Sequence, residues 1–138
     1  EQLSEQISFE LMEDGLMIRF MDSDEIAMFD LGSEKLATYM EKILKTTAKL
    51  LNEENRMITI TGHTDSVQYA SGDKSYSNWE LSANRANASR RSLVASGLNP
   101  SLIKRVIGKA DREPIAGLGN LDPANRRIEL FIHPELLD

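Results

Sequence analysis

Residues 57–65, MITITGHTD, join a short β-branched run to a polar segment and decide the architecture of the chain. The run from Met57 to Ile60 is typical of a buried strand. Directly after it, Thr61 to Asp65 place a glycine, a histidine and an aspartate in sequence. Loops at the ends of sheet strands are free to present side chains to ligands. We therefore expect this loop to contribute to a binding site.

Upstream of this strand, residues 7–21 alternate apolar and polar side chains on both sides of Asp14-Gly15. An Asp-Gly pair between two such runs is typical of a β-hairpin, and two unpaired extended segments are the alternative. An acidic, irregular stretch follows over residues 22–32. We take residues 1–32 as an N-terminal linker and hairpin segment, and residues 33–138 as the main domain.

Two helices and three strands are predicted in the main domain. The hydroxyl of Ser33 can cap a helix whose apolar stripe continues to about Asn52, and a second helix spans Asn78 to about Gly97. Short β-branched or alternating runs predict strands over 57–60, 104–109 and 127–132. The order ββαβαββ indicates an α/β (α+β sandwich) class, with a mixed sheet and both helices packed on one face.

Composition and charge exclude several classes of protein. The 138 residues carry 16 Lys and Arg against 22 Asp and Glu, a formal charge of −6, which argues against a general affinity for nucleic acid. The absence of cysteine removes thiol nucleophiles, thiolate metal sites and disulfides. No window reaches the ~20 apolar residues of a membrane span, and no signal peptide is visible. Because the chain starts at Glu1, we expect any membrane segment to lie outside it.

The second helix is predicted to carry two different faces. Its polar face, with members three or four residues apart, comprises Asn78, Ser82, Arg85 and Ser89, with Leu81 beside them. A more apolar face, expected to pack on the sheet, comprises Trp79, Ala83, Ala86, Leu93 and Val94. Spacing alone leaves two roles open for Arg85, a structural salt bridge or a ligand contact.

Asp65 and Arg85 form a complementary pair of charges. A guanidinium holds a carboxylate through two hydrogen bonds, while an aspartate accepts from an ammonium. The pair would therefore suit a ligand that carries both groups. In the alternative, Asp65 pairs with Arg85 itself, or Asp65 caps a turn.

Catalysis receives little support from the sequence. His63 and Asp65 are two residues apart, with Ser and Thr nearby, but no nucleophile-elbow pattern such as G-x-S-x-G occurs. His63, Asp65 and the distant His133 also lack the spacing of metal ligands. We predict no catalytic residues and no metal, and a structural role for His133.

Three motifs, in this order, resemble the OmpA-like peptidoglycan-binding domain: ITGHTD at 60–65, NWELSANRA at 78–86 and NRRIEL at 125–130. The βαβαββ organisation of that family agrees with the predicted order. The longer run YSNWELSANRANASRR at 76–91 is more specific, and it resembles the periplasmic domain of flagellar stator B subunits (the MotB/PomB type). The long loop from Ser66 to Ser77 also favours the stator group.

The resemblance implies noncovalent binding of peptidoglycan through the diaminopimelate of its stem peptide, without a cofactor. The binding aspartate of the family corresponds to Asp65 and its binding arginine to Arg85, and Arg126 would contact another carboxylate of the peptide. The pocket would be completed by Thr64, Asn78, Leu81 and Ser82.

The resemblance also implies a homodimer that works with a stator A-type ion-channel subunit, through a membrane helix absent from this chain. The domain would then be the periplasmic part of a single-span inner-membrane protein. The alternative is a wall anchor of an outer-membrane lipoprotein, a porin or an accessory motor protein. A wall-cleaving amidase, the third class, would require bound metal and activity that depends on His63.

Overall fold

The computed structural model describes residues 6–67 and 76–138. Its helices and strands follow the order β1 (Ile7–Met12), β2 (Gly15–Met21), α1 (Thr38–Glu54), β3 (Arg56–His63), α2 (Asn78–Ala95), β4 (Ile103–Gly108) and β5 (Arg127–Leu136). The five strands form one mixed sheet in the order β1-β2-β5-β3-β4, in which only β3 and β4 are parallel neighbours. The predicted fold class and element order are confirmed.

Both helices pack on one face of the sheet. Ile18 of β2 and Ile60 of β3 both lie opposite Leu130 of β5, so these three side chains are on the same face of the sheet. α1 and α2 cover this face with buried side chains that include Met40, Leu44, Ala48, Leu51, Ala86 and Leu93. The resulting core is continuous and aliphatic. No helix in the described ranges is long and apolar enough to cross a membrane.

The predicted hairpin is confirmed, with Ile7 opposite Phe20 and Leu11 opposite Leu16. β2 also pairs with β5, so the hairpin belongs to the same sheet as the main domain. The division of the chain at residues 32 and 33 stays a prediction. Residues 1–5 of the predicted linker, and residues 68–75 of the predicted long loop, lie outside the described residues.

The predicted start of α1 at Ser33 is wrong, because the helix begins at Thr38. The Ser33 hydroxyl instead accepts from the backbone N–H of Lys35, within a turn closed by a bridge between Phe29 and Leu36. Phe29 is 4% exposed. Burial of this segment in the core therefore outweighs the local capping preference of the serine.

The expected assignment of faces on α2 is also wrong in part. Ala86 and Leu93 lie in the core, but Trp79 is 49% exposed. The polar face is itself buried, since Asn78, Ser82, Arg85 and Ser89 are all at most 6% exposed. The predicted helix start is confirmed, with Ser77 and Glu80 forming a capping box.

Candidate ligand-binding site

Three chain segments meet at one end of the sheet. β3 and β5 are antiparallel neighbours, with His63 opposite Arg127, so the residues after β3 meet the residues before β5. α2 packs on β3 and brings its first turns to the same end. Thr64 and Asp65, Asn78 to Arg85, and Arg126 are therefore neighbours in space, although about 60 residues separate them in sequence.

Asp65 is 1% exposed and accepts hydrogen bonds at this end of the sheet. Arg126 Nη1 donates to Asp65 Oδ2 over 2.6 Å, and the backbone N–H of Val67 donates to Oδ1 over 3.0 Å. The sequence alternative of a turn-capping role is thus present. Asp65 also forms an ion pair with Arg126, a pairing that was not predicted from the sequence.

Arg126 bridges two buried carboxylates. Its Nε donates to Asp22 Oδ2 over 2.9 Å, while its Nη1 holds Asp65. Asp22 is 5% exposed, and its second oxygen accepts from the backbone N–H of Met28. Burial raises the pKa of Asp22, and the contacts with Arg126 and Met28 and the charge of Arg85 partly offset this effect.

Arg85 is 4% exposed and lies against the segment that precedes α1. Its Nε donates to the carbonyl of Ser33 over 2.7 Å, and its Nη2 donates to the carbonyl of Asp30 over 3.4 Å. The guanidinium also lies 4.9 Å from the centre of the Phe29 ring. The carbonyls and the aromatic ring fix the position of the Arg85 guanidinium, and removal of this buried charge is expected to destabilise the fold.

Thr64 and Asn78 carry buried oxygens without a hydrogen-bond partner in the described part of the chain, namely Thr64 Oγ1 and Asn78 Oδ1. The two side chains are 2% and 6% exposed by residue. Asn78 Nδ2 donates to the carbonyls of Asp65 and Val67, which places the amide beside the aspartate. Buried polar atoms are normally paired, so two such oxygens on residues that adjoin Asp65 indicate a place for hydrogen-bond donors of a ligand.

Ser82 and Leu81 are buried residues of α2 that adjoin the site. The Ser82 hydroxyl donates to the carbonyl of Trp79 and accepts from the backbone N–H of Ala110, which fastens α2 to the loop after β4. Leu81 is fully buried. The structure thus gathers Thr64, Asp65, Asn78, Arg85 and Arg126 around one cluster, with Leu81 and Ser82 packed behind them.

A second buried charge cluster lies on the opposite face of the sheet. His63 Nε2 lies 3.0 Å from Glu129 Oε1, and Arg127 and Arg19 donate to Glu129 Oε2 over 2.9 and 3.2 Å. Burial by itself would raise the pKa of Glu129, but His63 and Arg127 outweigh it and lower the pKa to about 2. This cluster ties β2, β3 and β5 together.

The low pKa of Glu129 predicts an acid-sensitive contribution to stability. The folded-state pKa of about 2 is below the ordinary value of 4.5, so the contribution is present above about pH 4.5 and is lost as the pH falls towards 2. We expect the urea midpoint of the native protein to fall more steeply between about pH 5 and pH 3 than that of Glu129→Gln. Glu53→Gln, at an exposed position of α1, is the control, and equal slopes for all three proteins would contradict the prediction.

His63 belongs to the Glu129 cluster and not to the cluster around Asp65. The histidine is 2% exposed and paired with Glu129, whereas Asp65 is paired with Arg126. Within residues 6–67 and 76–138, no group of three or more His, Cys, Asp or Glu side chains could hold a metal ion. His133 hydrogen-bonds to Thr59 Oγ1 over 2.8 Å, across the β3–β5 pair.

A cleft away from the cluster around Asp65 is apolar. It has a volume of about 600 Å³ between the β-hairpin and α1, and its lining includes Phe9, Leu11, Leu16 and Leu50. It contains none of the clustered charges. The candidate site is therefore identified by the buried polar cluster and not by this cleft.

Asp22 and the carbonyls of Asp30 and Ser33 were not predicted as members of the site. Asp22 lies in an acidic stretch whose neighbours Asp24 and Glu25 look equivalent in sequence. The carbonyls carry no side-chain signal at all. The one indication is that Asp22 directly follows the strand β2, which ends at the same end of the sheet as the site.

Residues 28–127 match the OmpA family, and the chain belongs to that family. Within it, the chain is 44% identical to motility protein B of Escherichia coli K12 over 130 residues, which cover 94% of this chain and 42% of the relative. It is also 30% identical to a truncated LafU protein of the same organism, over 91% of this chain and 59% of that relative. The chain thus spans about two fifths of the length of motility protein B.

Solved structures share the fold. The periplasmic domain of Helicobacter pylori MotB (residues 90–256) has a TM-score of 0.79 at 22% identity, covering 96% of this chain and 82% of that one. A MotB-like protein of Desulfovibrio vulgaris has a TM-score of 0.79 at 26% identity, covering 96% and 81%. The cell wall anchor of the type VI secretion system of Pseudomonas aeruginosa has a TM-score of 0.76 at 24% identity, covering 96% and 90%. At these sequence identities, the structural similarity shows that this chain shares the fold of those proteins.

Proposed function

We propose that this domain binds peptidoglycan noncovalently and thereby anchors the stator of a bacterial flagellar motor to the cell wall. The observation that carries the proposal is the pair of buried oxygens, Thr64 Oγ1 and Asn78 Oδ1, which have no partner among the described residues and belong to residues that adjoin the buried Asp65. An ammonium group has three N–H donors and would satisfy such acceptors next to a negative charge.

The proposed ligand is the diaminopimelate residue of the stem peptide. Its side-chain end carries an ammonium and a carboxylate, so it is zwitterionic. The cluster of Asp22, Asp65, Arg85 and Arg126 balances two negative with two positive groups. We infer that the ammonium binds near Asp65, Thr64 and Asn78, while the guanidinium side of the cluster attracts the carboxylate.

The role in a stator is supported by the 44% identity to motility protein B over 94% of this chain. We infer a periplasmic domain of an inner-membrane protein, acting as a homodimer with an A-type ion-channel subunit and without catalysis. An anchor for an outer-membrane lipoprotein, a porin or an accessory motor protein is not favoured, because the similarity to motility protein B covers nearly the whole chain.

Sedimentation with purified sacculi tests the proposal. The native domain is expected to pellet with the wall, and Asp65→Asn and Arg85→Gln are expected to stay in solution after thermal melts show that they are folded. Asp14→Asn and Arg105→Gln, which change the same residue types at exposed positions of the hairpin turn and β4, are the matched controls and should pellet. Equal pelleting of all five proteins would reject the assigned site, and no pelleting of the native domain would reject wall binding.

Thr64→Val separates ligand binding from folding. The Thr64 hydroxyl is buried without a partner in the described structure, so its replacement by a methyl group should leave the melting temperature unchanged or raise it. Affinity for wall fragments should nevertheless fall about tenfold, because one hydrogen bond to an ammonium is lost. Undiminished binding by this variant would show that the hydroxyl does not contact the ligand.

A further inference from the structure

A polar cleft opens directly beside the charged cluster. Its volume is about 490 Å³, and its lining includes Ser66, Asn78, Trp79, Asp111, Arg112 and Asn120. Asn78 belongs to both places, because its amide holds the Asp65 loop while its residue lines the cleft. A ligand bound at the charged cluster could therefore continue into this cleft.

Trp79 presents an aromatic surface at the edge of the cleft. It is the only tryptophan of the chain, and it is 49% exposed although its size favours burial. The Arg112 guanidinium lies 5.6 Å from the centre of the ring. The capping box of Ser77 and Glu80 fixes the first turn of α2, so the backbone that carries the indole is held in place.

The opposite wall of the cleft is formed by the loop between β4 and β5, and this loop is tied down at several points. Asn125, which is 1% exposed, accepts from the backbone N–H of Ile115 over 2.7 Å and donates to the carbonyl of Gly119 over 2.8 Å. The carbonyl of Asn120 accepts from the backbone N–H of Ser66. The cleft is thus formed before any ligand arrives, which reduces the entropic cost of binding.

We propose that this cleft is a carbohydrate subsite that takes one sugar ring of the glycan strand, stacked on Trp79. The inference rests on the proposed function and extends it from the stem peptide to the sugar. A pyranose has an apolar face of C–H groups that packs on an aromatic ring, and a rim of hydroxyl and acetamido groups that needs donors and acceptors. Asn78, Asp111 and Arg112 supply both kinds of polar group around the indole.

Two soluble ligands distinguish the subsite from the peptide site: a diaminopimelate-containing tripeptide, and the same tripeptide attached to the N-acetylglucosamine–N-acetylmuramic acid disaccharide. The native domain should bind the disaccharide–peptide more tightly in calorimetric titrations. Only that ligand should change the fluorescence of the single tryptophan strongly.

Trp79→Ala should lose about five- to tenfold in affinity for the disaccharide–peptide, as expected for one aromatic stacking contact, and bind both ligands alike. Its affinity for the bare tripeptide should not change. Trp79→Tyr should retain most of the difference because its ring can still stack. Phe9→Ala, at a 67% exposed aromatic of β1, is the matched control and should bind as the native domain does.

The binding data distinguish failure of the sugar subsite from failure of peptide binding. If the native domain binds both ligands equally, or if Trp79→Ala weakens both by the same factor, the cleft is not a sugar subsite, although peptide binding stands. If neither ligand binds the native domain, the proposed function fails and the subsite fails with it. Thermal melts of each variant exclude loss of folding as the cause.

Discussion

Arg126→Ala is expected to lower the free energy of unfolding by about 3 to 5 kcal/mol, because it leaves two buried carboxylates without their shared cation. The Asp22 and Asp65 side chains are 4% and 0% exposed, and Arg126 contacts them over 2.9 and 2.6 Å. Urea denaturation at neutral pH measures the change. Arg105→Ala, at an exposed position of β4, is the control and should cost well under 1 kcal/mol.

A second variant tests the cause of that loss. The double variant Asp22→Asn with Arg126→Ala removes one of the two carboxylates that lose Arg126 as their partner. It should therefore recover part of the lost free energy of unfolding. If Arg126→Ala stays within 1 kcal/mol of the native protein, or if the double variant is no more stable than the single one, the bridge is not a main support of the cluster. Either result would also weaken the geometry proposed for the ligand.

Gly62→Ala is expected to cost about 3 kcal/mol, because the added methyl group has no room between β3 and α2. A Cβ atom at this position would lie 2.2 Å from the carbonyl oxygen of Ser82. That oxygen belongs to the backbone of a helix and cannot rotate away as a flexible side chain would. The helix must therefore shift, and Asn78 and Arg85 shift with it relative to Asp65.

The Gly62 variant should consequently lose wall binding as well as stability, even at temperatures where it is folded. Gly119→Ala is the matched control, because a Cβ there meets no atom within 4 Å. Denaturation in urea and sedimentation with sacculi measure the two effects separately. A Gly62→Ala protein with native stability would show that α2 does not pack as closely on β3 as the structure has it.

Much of the candidate site was predictable because short motifs carry its side chains. Thr64 and Asp65 directly follow a strand that β-branched residues identify, and Asn78, Ser82 and Arg85 share a helix face by spacing alone. Their grouping at one end of the sheet then follows from the element order. The partner of Asp65 was not predictable, because both Arg85 and Arg126 are cations that this topology brings near it.

The order of the elements can be predicted from hydrophobic periodicity and turn residues, since both act over a few neighbouring positions. The start of α1, the buried face of α2 and the pairing of the charges depend instead on contacts between distant segments. Ser33 does not cap α1, because burial of Phe29 in the core holds this segment in a turn before the helix. The small polar side chains of α2 are buried because Gly62 and Gly108, which lack a Cβ atom, allow the helix to pack closely on the sheet. Arg126 contacts Asp22 and Asp65 because β2 and β3 end where β5 begins, and no local sequence pattern encodes this meeting of distant segments.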